Sequence, residues 1–535
     1  MAKKKIITAK SQKFLEAYLN NASPTGFESE GQKLWLDYIK PYIDTHIVDT
    51  YGTQQPIALL KLLLERGGLY DRGKDLNWKN LRDLGYVAAM GKPGGGRNSV
   101  DPRFLSLFCV FNITFPSQES LNRIYSSILS GHLQAFDSDL QKLTDVVTQA
   151  TMSLYQDVVA ALPPTPSKFH YIFNLRDLSR VYEGLCLTTP DRFATSEQFV
   201  RVWRNESLRV FHDRLINKED KKLVQGLVEK IVGSLFPKAA QTAMQEPLLY
   251  GDMRFALSPE KPRLYEEFGS YEEAKGVFDA VLTEYNEEHT NMNLVLFDDA
   301  LEHLMRVHRI LRMDRGHALL VGVGGSGRQS LARLATYTAG YELFEITLSR
   351  GYGEAEFRED LKSLYNLVGV ERKKMTFLFT DAHVAEEGFL ELINNILTSG
   401  MVPALYEDDE KESIIGQVRD EVQKKGLVPN RETCWNHFVS RCADNLHVVL
   451  AMSPVGDKLR TRCRNFPGLV NSTVIDWFLP WPTQALYAVA SVFLGSGDEA
   501  NEKAALLPAD RREQIVQHFV HVHTSVTAYS REIEM

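Results

Sequence analysis

The stretch Gly322-Val-Gly-Gly-Ser-Gly327-Arg328-Gln329-Ser330 follows directly on an apolar run, His317–Gly322, and opens a helix-like segment, Arg328–Thr338. Small residues let backbone N–H groups curl around a phosphate, and a helix N-terminus adds its partial positive charge. The phosphate-loop pattern is G-x-x-x-x-G-K-[ST]. Gly322 and Gly327 fit it, whereas Arg328 takes the lysine place, Gln329 takes the hydroxyl place and Ser330 sits one residue late for Mg2+. A Gly-rich turn also serves as a plain structural loop. The strand before it and the helix after it are what favour phosphate binding, through Gly324, Gly325 and Ser326 as well as the pattern residues.

Working outward, short apolar runs recur at Tyr341–Thr347, Met375–Thr380, His447–Met452 and Thr473–Leu479, with helix-like stretches such as Glu387–Leu397 between several of them. Buried strands separated by crossover helices are the signature of α/β proteins with a parallel sheet, here a five-stranded nucleotide-binding core. The run Thr376–Thr380 ends in Asp381, where a carboxylate would hold the shell of a Mg2+ ion. A hydrolysing site of this kind follows that aspartate with a glutamate to activate water, but the next residue is Ala382. Glu386 and Glu387 read as solvated residues on the following helix. Nucleotide binding without efficient hydrolysis is the expectation.

A weaker copy of the core's end appears earlier. Ala89-Met90, Arg103-Phe104, Val110–Phe115 and Pro116-Ser117-Gln118 parallel Ala451-Met452, Arg464-Asn465-Phe466, Val474–Leu479 and Pro482-Thr483-Gln484. Each set reads as a strand, a Gly/Pro/Arg loop, another strand and a helix start, so the first copy is expected to show two strands. Residues 117–235 are helical by periodicity, broken at Pro163-Pro164-Thr165-Pro166, which suits an all-α lid. Residues 240–300 read as helical with an acidic, solvated face, and 407–430 as an exposed insertion before the fourth strand.

Composition sets outer bounds. The 535 residues carry 61 Lys+Arg and 69 Asp+Glu, a net charge of −8, with 44% hydrophobic and 24% charged residues. That mild acidity gives no reason to expect nucleic acid or an anionic membrane as partner. Five cysteines are few and scattered, which fits a reducing compartment. No apolar run approaches the roughly 20 residues of a membrane span, and no apolar signal core follows the basic start.

The match then becomes specific. Asn293–Ser330, Phe377–Pro403 and Arg462–Pro482 closely resemble the fourth AAA+ module of axonemal dynein heavy chains, and Tyr51–Leu64, Val87–Leu105 and Tyr171–Gly184 resemble the back half and lid of the third. The resemblance covers about 51–535. It implies a division into 51–116 (rear half-core), 117–239 (helical lid), 240–482 (nucleotide-binding core) and 483–535 (incomplete lid). It also implies ATP or ADP with Mg2+ as ligands, with Gly322, Gly324, Gly325, Gly327, Arg328 and Ser330 lining the phosphates and Asp381 and Ser330 near the metal. Val295 and Leu296 would flank adenine, and Ser453 would stand at the first-sensor place. Arg464 and Arg103 look like fingers for a preceding module's nucleotide, and Arg176 resembles a second-sensor arginine; the bland alternative for all three is a surface ion pair of little worth.

The resemblance implies the rest of a dynein ring and other dynein chains as partners, microtubules indirectly, and the axoneme of a cilium or flagellum within the cytoplasmic cytoskeleton as location. Neither a third-module phosphate loop before Tyr51 nor a complete fourth lid before Met535 is seen, so motor activity by this chain alone is not expected. An alternative is a non-enzymatic scaffold remnant. Residues 1–50 are set apart as a helical leader: Asn20–Glu28, Gly31–Tyr38 and Val48–Thr53 resemble the start of metallopeptidases of the glutamyl-aminopeptidase and endoglucanase-M type. No His-x-Asp ligand pair follows, and His46 reads as structural.

Overall fold

A computed structural model describes residues 55–71, 76–90, 100–165, 167–258, 260–494 and 511–534. The leader and its metallopeptidase-like strings up to Thr53 lie outside the described residues. The chain divides into two compact units, Met1–Phe115 and Pro116–Met535.

In the first unit, the helix Gln55–Arg66 leads into β1 (Gly68–Tyr70), which pairs antiparallel with β2 (Trp78–Asn80). A side chain at Gly68 would lie 2.5 Å from the Lys79 carbonyl and against the Trp78 ring, so only glycine permits this close pairing. The two strands expected at Ala89-Met90 and Val110–Phe115 do not form. Val87, Phe111 and Ile113 are 100%, 84% and 92% exposed. A parallel strand needs a neighbour on its edge and cover on its faces, and among the described residues of this unit these segments have neither. Arg103 is exposed on the four-residue helix Pro102–Leu105, capped by Asp101.

The second unit begins where Ser117 caps the helix Gln118–Leu133 by accepting from the Ser120 N–H at 3.2 Å. Helices Thr144–Ala161, Leu175–Leu185, Ser196–Phe211 and Lys218–Leu235 follow, and the first of these stops just before the proline cluster. They share one apolar core built on Trp203, Tyr182, Phe199 and Phe211. Residues 240–300 differ from the expected solvated helix. β3 (Leu249–Gly251) and β4 (Glu266–Phe268) form an antiparallel pair, and the helix Tyr271–Glu288 buries Ala274, Phe278, Val281 and Tyr285. That 4-3-4 spacing is a core-facing stripe, hidden in sequence by the glutamates between.

β5 (Ala318–Val321), β6 (Glu342–Phe344), β7 (Met375–Thr380), β8 (Leu446–Met452) and β9 (Val474–Trp477) make the expected parallel sheet, in the order β6-β7-β8-β5-β9. β5, β7 and β8 are buried throughout, as their unbroken apolar runs demand. Alternation assigns the faces. Leu319, Val321, Phe377, Phe379, Val448 and Leu450 pack against helices Glu354–Gly369, Gly388–Ser399 and Arg431–Asn445. Ala318, Leu320, Leu378, Val449 and Ala451 pack against Tyr271–Glu288, Asp298–Arg312 and Arg328–Ala339. The supposed insertion at 407–430 is largely the helix Asp408–Lys424, whose Ile414, Ile415, Val418 and Val422 join the first of these cores. Its buried stripe at 414, 418 and 422 is masked in composition by the Asp, Glu and Lys residues that dominate the helix.

Two buried histidines give this unit a pH dependence. His170, held between the Arg214 carbonyl at 3.1 Å and the Trp477 ring, is pulled down to about 4 by burial. His317 accepts from the Val448 N–H at 3.0 Å and is pulled down to about 3, again by burial, with His447, Arg180 and Arg315 adding to it. Both stay neutral when folded, while an unfolded histidine titrates near 6.5. The unfolded chain therefore binds more protons below that value, so stability falls as pH drops from about 6.5 to about 4. His170 alone should account for a loss on the order of 2–3 kcal/mol. Guanidinium unfolding midpoints at pH 7.5 and 5.0 measure it; the midpoint should fall at pH 5.0, and by less in His170→Gln.

Candidate functional site

The C-terminal ends of β5, β7 and β8 converge where ligands bind in open parallel sheets. β5 runs into Gly322–Gly327, and the twelve-residue helix Arg328–Ala339 starts immediately after. Gly325 and Gly327 have φ of +78° and +84°, left-handed values that suit glycine. At Gly322 a Cβ would stand 2.7 Å from that of Phe478, so the loop's first glycine is required by packing. Gly324 and Gly325 face open space instead. Ser326 Oγ is buried with no hydrogen-bond partner, a donor left for something the chain itself does not supply. The loop is thus a cradle of backbone amides with an unused hydroxyl, which fits a phosphate group.

Arg328 is folded back. Its guanidinium donates to the carbonyl of Met452, at the end of β8, and to that of Val323 at 3.2 Å. Burial lowers its pKa, and the charge of Asp381 works in the other direction. Gln329 is exposed and Ser330 is half-buried.

Asp381 opens the short turn after β7, and both its oxygens are engaged. Oδ2 accepts from the Ser453 N–H at 2.5 Å, tying the ends of β7 and β8 together. Oδ1 accepts from Nη1 of Arg462 at 2.8 Å. The same guanidinium reaches Glu387, with Nε at 3.1 Å and Nη2 at 2.8 Å from Oε1. Glu387, read from sequence as merely solvated, is exposed but ion-paired, and Ala382 is exposed. Among the described residues no three His, Cys, Asp or Glu side chains converge on a metal position. A Mg2+ ion held by nucleotide phosphates and water needs only one or two carboxylates, so Asp381 fits that role, and Ser330, half-buried in the first turn of the helix after the glycine loop, is the sequence-chosen hydroxyl.

The other sequence-chosen residues scatter. Leu296 is buried and Val295 half-buried in the segment before the helix Asp298–Arg312. That helix carries His303, whose ring stacks on Phe478 at 3.9 Å and so reaches the residue packed on Gly322. Arg464 is exposed on the helix Lys458–Asn465, without a hydrogen bond or ion pair among the described residues, and Arg103 belongs to the first unit. Arg176 is exposed at the start of Leu175–Leu185 and lines a cleft of about 460 Å³ with Arg180, Asp314 and Arg315. Sequence reasoning missed Arg462. The signal was the spacing of Leu459 and Cys463, whose burial turns Arg462 inward and leaves Arg460 and Arg464 outside.

Comparison with known proteins bears on this geometry. A family model described as "P-loop containing dynein motor region D4" matches residues 292–534. One described as "P-loop containing dynein motor region" matches 4–116, and an "AAA+ lid domain" matches 147–244. The chain is 63% identical over 485 residues to dynein axonemal heavy chain 10 of Homo sapiens, covering 91% of this chain and 11% of that protein. It is 58% identical over 492 residues to the dynein-1-alpha heavy chain, flagellar inner arm I1 complex, of Chlamydomonas reinhardtii, covering 90% and 10%. With dynein axonemal heavy chain 6 of Homo sapiens it shares 39% over 525 residues, covering 97% and 12%. The chain spans about a tenth of the length of these relatives. The match from residue 4 carries the dynein likeness into the leader, and nothing in these relatives supports the metallopeptidase reading there. Among the described residues no helix is long and apolar enough to cross a membrane.

Proposed function

Since the chain belongs to the axonemal dynein heavy-chain family, we propose that its 240–482 core binds one ATP or ADP with Mg2+ as a regulatory or structural ligand and hydrolyses it weakly. The observation that carries this is the glycine cradle between β5 and the helix Arg328–Ala339, with Asp381 beside it and Ala382 where a water-activating glutamate would stand. The amides of Gly324, Gly325 and Gly327 and the Ser326 hydroxyl bind phosphate oxygens. Arg328 supplies positive charge from the β8 side, and Ser453 holds Asp381 in place. Asp381 and Ser330 would hold a Mg2+ ion, which would supply positive charge against the phosphate oxygens. Without a base next to Asp381, attacking water is not activated, which leaves a stable nucleotide-bound form. Within a whole heavy chain this places the module in microtubule-based movement of a ciliary or flagellar axoneme, in contact with other ring modules and dynein chains. Residues 117–239 act as the lid of the preceding module.

A single-turnover assay with labelled ATP tests the weak hydrolysis. Bound ATP should be recovered as ATP, and Ala382→Glu should raise the hydrolysis rate by about 100-fold or more, the lower end of what a positioned base contributes. Wild-type turnover near the ordinary enzymatic value of about 1 s⁻¹ or faster would refute the proposal.

The exposed Val110, Phe111, Ile113 and Phe115 favour a second, compatible role for the first unit as a protein-contact surface. Light scattering at rising concentration reads it: association is expected, and a strictly monomeric chain argues against it.

A further inference from the structure

The Asp381 carboxylate has no free oxygen, and its two partners differ in kind. The Ser453 N–H is part of the backbone leaving β8 and moves only if the strand end moves. The Arg462 guanidinium is a side-chain group that Glu387 also holds through Nε and Nη2, independently of Asp381. Arg462 is 10% exposed, so its charge is shielded from solvent, while Asp381 is 38% exposed. A carboxylate that takes a metal-bound water on the oxygen now facing Arg462 brings a dication close to a guanidinium, and the two repel strongly in a half-buried site.

We propose that Arg462 is a positioning residue that competes with Mg2+ for Asp381, with Glu387 as the group that keeps the guanidinium when Asp381 lets go. The proposal rests on the nucleotide reading of this pocket and specifies its regulation. It makes nucleotide binding only weakly dependent on Mg2+, because each gain at Asp381 is offset by loss of the Arg462 pair. The Arg328 contact with Met452 belongs to the same arrangement, since Met452 Sδ also lies 4.0 Å from Arg462 Nη1.

The test is the ratio of dissociation constants for a fluorescent ADP measured on the full chain in EDTA and in excess Mg2+. In the wild type the two should agree within about threefold. Arg462→Gln should widen the ratio by about tenfold, and adding Asp381→Asn to that variant should return it to about one. Glu387→Gln removes the alternative holder, leaves Arg462 to Asp381 alone and should keep the ratio at about one. A merely structural Arg462 would weaken binding equally in both media. An unchanged or smaller ratio in Arg462→Gln overturns the competition. If that variant loses cooperative unfolding, Glu387→Gln decides, and a widened ratio there overturns it. Absence of binding in both media defeats the nucleotide reading itself, an outcome distinct from binding with an unchanged ratio.

Discussion

Replacing Glu206 by alanine is expected to cost about 3–5 kcal/mol of stability, the scale for breaking a buried ion pair by removing one partner. Glu206 is fully buried on the helix Ser196–Phe211, and Arg309, from the helix Asp298–Arg312, is 5% exposed. Oε2 accepts from Arg309 Nε at 3.0 Å and also from Nη2, while Oε1 accepts from the Tyr265 hydroxyl at 2.5 Å and Asn205 Nδ2 at 2.9 Å. Every acceptor site of the carboxylate is used, so the alanine variant strands a guanidinium and two further donors in a dry interface. Gly184 belongs to the same fit, since a Cβ there would sit 1.7 Å from Oε2. The double variant Glu206→Met with Arg309→Met removes both charges and should recover most of the loss. Guanidinium unfolding of the two variants checks this; a cost below about 1 kcal/mol for the single change contradicts it.

The second large effect is on binding. Gly325→Val should weaken adenine-nucleotide affinity by about 100-fold or more while leaving the unfolding free energy within about 2 kcal/mol of wild type. Gly325 has φ +78° and nothing within 4 Å of a built Cβ, so the variant strains the loop without striking the core. A branched side chain occupies the cradle, and two misdirected amides forfeit roughly 3–5 kcal/mol of charge-assisted hydrogen bonding. Gly322→Val is the contrasting variant. Its side chain strikes Phe478, so it should lose stability as well as binding. Unchanged affinity in Gly325→Val, measured with the fold intact by circular dichroism, contradicts the phosphate role of the loop.

Much of the core was legible because its strands are apolar runs without competing periodicity. β5, β7 and β8 are buried on both faces, so their sequences say strand and nothing else, and the glycine loop follows at a fixed place. What stayed hidden depends on partners distant in sequence. Val110–Phe115 has the composition of a strand, yet among the described residues of its unit no strand lies beside it, and it remains irregular. The helix Asp408–Lys424 shows a charged face to any composition scan, and its four buried aliphatics gain meaning only once Arg431–Asn445 lies alongside. At the site, the resemblance singled out Arg464, one of three arginines within five positions. Burial of Leu459 and Cys463 selects Arg462, whose bond to Asp381 spans 81 positions of sequence. A long-range ion pair of this kind leaves no local pattern to read.

Binding of one adenine nucleotide by the 240–482 core is the proposal on which the site predictions depend. Its most direct test is equilibrium titration of the wild-type chain with a fluorescent ADP, followed by displacement with unlabelled ATP. Saturable binding of one nucleotide per chain at or below about 100 μM, fully displaced by ATP, is the expected result. No saturable binding with nucleotide in the millimolar range would contradict it.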